Sequence, residues 1–318
     1  MSVLGLHSEE PRTFHGRYLR WLHILDPTTL LASDEEIRNA EAVMASLGET
    51  AEDPAQNWKV KEALKTCLGS LHPDTGSIIS TMFRPPAFMP FATPLVIATL
   101  LPHRGAKSAF FWQILFQSYS AGFNLQNRNE TFQKEKVPSY HSLLLAGLVT
   151  YAACVGATPQ YIMNRYKLTS PAIRMFFGKL LPPPLLAALS AFNVIAVRVH
   201  EMEHGIHVVD KTGKVVGVSH RAAEKAVKET AVSRAALVGV TAAVPIALEP
   251  LLLGSRLLLG SRLVLTPVKY VASALVFGAL IPASFSLFPQ KGTIARTDLE
   301  TELRDSTAEA ELYYHRGL

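Results

Sequence analysis

The chain has 318 residues, of which 48% are hydrophobic and only 18% charged, with a net charge of +5 and a mean hydropathy of +0.18. A soluble chain carries about 25% charged residues, so the composition argues against an ordinary soluble globule and for a membrane bundle. The positive balance suits membrane lipids, but no basic run interleaved with aromatics occurs, which argues against a nucleic-acid partner.

The opening "MSVLGLHSEEPRTFHGRYLR" lacks the basic start and apolar core of a secretory signal, and Glu9 and Glu10 interrupt any mitochondrial presequence. No cleavable presequence is expected, and targeting information should lie within the chain. Phe14, Tyr18, Trp21, Leu22 and Leu25 follow helical spacing, so residues 14–25 read as an amphipathic helix. Asp26-Pro27 then turns the chain. Ser33 caps the next helix, with Glu36 completing a capping box; this helix runs to about Leu47, where Gly48 ends it. A further helix covers residues 55–70 and stops at "LHPDTG". Residues 1–84 are thus expected to form a soluble amphipathic-helical N-terminal region.

Apolar blocks follow at residues 86–101 with 108–124, then 141–161, 173–197, 235–253 and 263–288. Crossing a membrane takes about 20 mostly apolar residues, so residues 85–290 read as a bundle of about five transmembrane helices. The fold class is an all-α membrane protein with Pro-broken segments, one soluble hairpin-helix loop at 198–234 and a polar C-terminal tail at 291–318. "LPPPLL" must break or kink the 173–197 block. Prolines in such helices either shape packing or free carbonyls toward a binding cavity. Cys67 and Cys154 are far apart, form no motif, and read as packing residues.

Polar residues within this frame are the candidate sites. His72, Asp74 and Thr75 in "HPDTG" bring imidazole, carboxylate and hydroxyl together, although the favoured reading is a helix stop and turn built on Pro73 and Gly76. Asn124 and Asn127 share a helix face at the end of an apolar block with Arg128, either as functional groups or as a helix end reaching the interface. Asn193 lies in the very apolar "LLAALSAFNVIAVRV" and either lines a cavity or bridges helices, the cavity being favoured. Glu249 in "VPIALEPLLLG" needs a partner, for which Arg256 and Arg262 are the nearest cations in sequence. Pro245, with Pro73, Gly76 and Gly205, is read as a structural turn position.

"HEMEHGIH" at 200–207 contains H-E-x-x-H, the pattern that places two zinc-binding imidazoles and a general base on one helix. Gly205 follows at once, however, and "IHVVDKTGKVVGV" reads as a hairpin around Asp210-Lys211-Thr212-Gly213. His207 is too close to serve as the third ligand of a longer motif. The stretch therefore reads as a helix end and hairpin start. No catalytic residue, metal or cofactor is expected, and no phosphate loop, nucleotide fingerprint or triad order occurs.

"TFHGRYLRWLHILDPTTLL", "HPDTG", "NLQNR" and "FPQ" occur in an order and spacing that resemble the sideroflexins, from about Thr13 to Leu318. The resemblance implies a multi-pass protein of the mitochondrial inner membrane and a family that carries small amino acids, serine above all. "FRPPAFMPF" and the closing "YYHRGL" are similar to one branch of that family. That branch is associated with assembly of respiratory complex I and with iron–sulfur and haem homeostasis, which implies complex I assembly proteins as partners. Gln117, Ser118, Asn124, Asn127, Arg128 and Asn193 match polar positions of the transporting members, but Phe116 and Ser120 stand where those members carry asparagine. Arg198, Glu201, Gly205, Ile206 and Asp210 also match, whereas His200 and His204 stand where relatives have other residues. Losing two amides leaves a polar substrate short of partners, at about 1–3 kcal/mol each. The expected role is therefore support of complex I assembly rather than efficient serine transport, with an active small-amino-acid transporter as the alternative.

Overall fold

The structure is a computed structural model that describes residues 10–47, 58–103, 105–130, 139–253 and 262–318. The polar N-terminal part forms α1 (Phe14–Ile24), α2 (Asp34–Leu47) and α3 (Trp58–Ser70). The expected stop at Gly48 and the first residues of the 55–70 helix lie outside the described residues. The capping box is present: the Glu36 carboxylate accepts from the Ser33 backbone N–H at 2.7 Å, and Ser33 Oγ accepts from the Glu36 N–H at 3.3 Å.

Next come α4 (Phe88–Leu100), α5 (Ala106–Gln126), α6 (Ser139–Arg165), the short α7 (Pro171–Met175), α8 (Pro182–Val197) and α9 (Val199–His204). The hairpin β1 (Ile206–Val209) and β2 (Val215–Ser219) leads into α10 (His220–Leu253) and α11 (Arg262–Ser286). The chain closes with β3 (Lys291–Ala295), α12 (Thr301–Ser306) and β4 (Glu311–His315). Four described helical stretches are long and apolar enough to cross a membrane: Ser142–Arg165, Pro171–Val197, His220–Leu252 and Leu265–Ser286. The fifth expected span corresponds to a shorter apolar helix, Pro85–Leu100, followed by the polar-dotted α5.

The break at "LPPPLL" takes a specific form. Residues Phe176–Leu180 make a π turn, in which the Leu181 N–H reaches back to the Phe176 carbonyl at 2.8 Å. Pro182 then starts α8, where a missing N–H costs nothing. Pro245 behaves differently from expectation: α10 runs through both Pro245 and Pro250 without a turn. Packing against α8 and α11 holds that helix together across the lost hydrogen bonds. Cys67 is buried as expected, but Cys154 faces outward from α6.

The main core gathers Phe88, Phe123, Leu186, Leu237, Phe277 and Phe285 from the long helices. Trp21 of α1 joins it, its ring edge-on to Phe285 at 5.0 Å. The first N-terminal helix thus packs directly on the bundle. Likewise, the expected polar tail is not free. β3 and β4 join the hairpin in one antiparallel sheet of order β2-β1-β4-β3. Ala222, Ala223 and Ala226 of α10 pack on Ile206, Val208, Leu312 and Tyr314 beneath it. β3 and β4 escape sequence reading because no short turn joins them: α12 lies between, so the hairpin signal that marks β1 and β2 is missing.

Candidate functional site

The candidate polar residues of α5 and α8 form a buried amide cluster. Asn193 Nδ2 donates to the side-chain and backbone oxygens of Gln117, each at 3.0 Å, and Asn193 Oδ1 accepts from Asn124 Nδ2 at 3.1 Å. All three are at most 4% exposed. Asn193 therefore bridges α5 and α8, while Gln117 Nε2 and Asn124 Oδ1 are buried without a hydrogen-bond partner among the described residues. Ser118 is exposed, since one position along a helix rotates it away from Gln117. Phe116 is buried in the main aromatic core.

The segment 127–130 extends this polar path toward the sheet. Asn127 caps the end of α5 and donates to the Phe83 and Phe123 carbonyls, both at 2.9 Å. "HPDTG" docks onto the same segment. His72 Nε2 lies 2.8 Å from the Arg128 carbonyl, and Asp74 Oδ2 accepts from the Glu130 N–H at 2.9 Å. Thr75 Oγ1 and Gly76, at φ 66°, serve the turn itself, with the Gly76 N–H bonding the His72 carbonyl. Asp74 thus reaches across the fold, while the Arg128 side chain is half-buried at the segment's edge.

Asn129, which sequence reasoning missed, connects the remaining parts. Its Nδ2 donates to Glu201 Oε2 at 3.0 Å, and its Oδ1 lies 3.2 Å from His315 Nδ1. Glu201 also receives Arg198 through both oxygens, at 2.6 and 2.7 Å. Arg198 is completely buried and donates further to Thr230 Oγ1 and the Arg316 carbonyl. Burial holds His315 below its ordinary range, with Asp74 opposing that shift and His72, Arg198 and Arg316 reinforcing it. The polar "NLQNR" at 124–128 was visible in sequence, but the contacts of the adjacent Asn129 reach Glu201 and His315, 72 and 186 positions away.

This geometry explains "HEMEHGIH". Glu201 turns inward to Arg198 and is not available as a base beside an exposed metal. Gly205, at φ 81°, ends α9, and an added Cβ would sit 2.6 Å from Val218. His200, Glu203 and His204 do lie on one outer face, with donor atoms within 4.8 Å of one another. Among the described residues they are the group with metal-ligand spacing, but they lack a positioned base.

At the opposite end of α10 lies a cavity of about 280 Å³, lined by Gln113, Gln160, Lys179, Pro245, Glu249 and Tyr270 among others. Glu249 is paired there with Lys179 at 2.8 Å and Lys269 at 3.4 Å. Helix packing thus brings in cations distant in sequence, while the expected partners Arg256 and the Arg262 side chain lie outside what the structure describes.

Long apolar helices, a small sheet at one end and a buried polar network between them define a multi-span helical membrane protein. The chain belongs to the sideroflexins, whose family model matches residues 9–318. It is 44% identical over 308 residues to sideroflexin-4 of Danio rerio, covering 96% of each chain. It is 35% identical to Homo sapiens sideroflexin-4, covering 97% of this chain and 90% of that one. Against sideroflexin-5 of Caenorhabditis elegans it is 34% identical, with 97% and 94% covered. No solved structure matches.

Proposed function

We propose that this sideroflexin resides in the mitochondrial inner membrane and supports assembly of respiratory complex I, and with it iron–sulfur and haem homeostasis, rather than efficient serine transport. The observation that carries this reading is the full engagement of Asn193, the amide that joins α5 to α8. Asn193 directs both amide hydrogens to Gln117 and its oxygen to Asn124. A zwitterionic ligand would have to displace those bonds, and Phe116, buried among aromatics, offers it nothing in exchange. The high identity to proteins named sideroflexin-4 supports the same branch. The bundle then serves as a scaffold that presents its loops and sheet to assembly proteins.

One observation favours transport of serine or another small amino acid instead: the cavity beside Lys179, Glu249 and Lys269 offers both signs of charge to a zwitterion. Isotope uptake separates the two readings. Mitochondria lacking all paralogues and re-expressing this chain should regain complex I without regaining serine or glycine uptake. Uptake at a carrier's level would sink the scaffold reading.

A further inference from the structure

Three guanidinium groups converge where α8, α10 and the residues after β4 meet. Arg198, Arg234 and Arg316 are each at most 5% exposed. Arg198 is fully matched by Glu201, Thr230 and the Arg316 carbonyl. The other two meet at Phe285: the Arg234 guanidinium carbon sits 4.3 Å from its ring centroid, and Arg316 Nη2 donates to its carbonyl at 3.0 Å. Among the described residues, Nε and Nη2 of Arg234, and Nε and Nη1 of Arg316, have no hydrogen-bond partner. Phe88, Phe123 and Phe285 attract the charge of Arg234 but cannot accept its in-plane N–H groups at the guanidinium edge.

The local charge does not balance either. Among the described residues, two carboxylates besides Glu10 face the three arginines: Glu201, bound to Arg198, and Glu229, whose Oε2 is buried without a partner. Glu10 also faces Arg316, but it accepts from the Gln290 and Lys291 N–H groups and is matched by Arg20. Lys225 faces Glu229 from the rim and adds positive charge. A buried charge is stable only when paired and hydrogen-bonded. We propose that the unpartnered N–H groups of Arg234 and Arg316 form a buried binding site for one compact monoanion, a halide or a small carboxylate. Internal water could accept some of these N–H groups but would not balance the charge. Phe88, Phe123 and Phe285 crowd the Arg234 side of the site, which favours a compact anion. The site is separate from the cavity at the far end of α10 and stands whether or not the chain transports anything.

The test uses the full chain purified in an uncharged detergent. Thermal unfolding is followed in sodium gluconate while chloride or formate replaces gluconate at constant ionic strength. The unfolding temperature should rise saturably, by about 5 °C or more at saturation. A response to chloride alone identifies a halide site, and a response to formate alone a carboxylate site. Arg316→Gln should lose the response. Should that variant fail to fold, the NMR linewidth of whichever anion stabilises the protein, chloride or formate, decides on the unaltered protein: binding broadens it. Identical unfolding in all three anions, a response retained in Arg316→Gln, or a linewidth that the protein leaves unchanged would overturn the proposal.

Discussion

Glu201 accepts from both Nε and Nη2 of Arg198 and from Asn129, so one carboxylate ties α9 to α8 and to the end of α5. Removing one member of such a buried pair leaves the other charge exposed to a low-dielectric interior. Glu201→Gln is expected to destabilise the fold by about 3–5 kcal/mol, read from thermal unfolding in detergent, while Glu203→Gln on the outer face should change it little. A melt indistinguishable from the parent would contradict the buried pair. His315 gives a second expectation. The folded state keeps it below its ordinary value of 6.5, whereas the unfolded chain protonates it there. Its contribution to stability is therefore complete above that value and is lost as pH falls below it. Unfolding temperature should drop on acidification from pH about 7 to about 5, and His315→Gln should flatten that part of the profile. An unchanged slope in the variant would assign the acid sensitivity elsewhere.

Among the elements, β4 has the largest structural reach for its length. It lies between β1 and β3, pairing Val208 with Tyr314 on one side and Ile294 with Leu312 on the other. Leu312 and Tyr314 also fill the core under the sheet. Deleting residues 311–318 should strip both neighbours of their partner and expose the Ala222–Ala226 face of α10. Limited proteolysis should then cut the 206–219 hairpin in the truncated chain and spare it in the parent; equal resistance would refute the pairing. The elements also mark what sequence reveals. α1, the capping box of α2, the break before Pro182 and the 206–219 hairpin were legible, because each rests on residues within a turn or two. The docking of "HPDTG" on Arg128 and Glu130 was not, since its meaning lies 56 residues away. Asn193 was recognisable as a buried polar group, but whether it faced a cavity or another amide depended on how α8 lies against α5.

At the scale of the molecule, α10 joins two dissimilar ends: a sheet with its polar network at one, the Lys179–Glu249–Lys269 cavity at the other. Composition revealed the membrane bundle, yet it could not reveal that the polar segment 291–318 completes a sheet begun at Ile206. That closure carries a parity condition. The hairpin precedes α10 and its partner strands follow α11, so the chain must leave one face of the membrane and return to it. An odd number of crossings between Ser219 and Lys291 would strand β1–β2 and β3–β4 on opposite sides with 4.7 Å-type pairing out of reach. The sheet therefore acts as a topological lock, closing only on a chain whose last two spans have been inserted in the right sense.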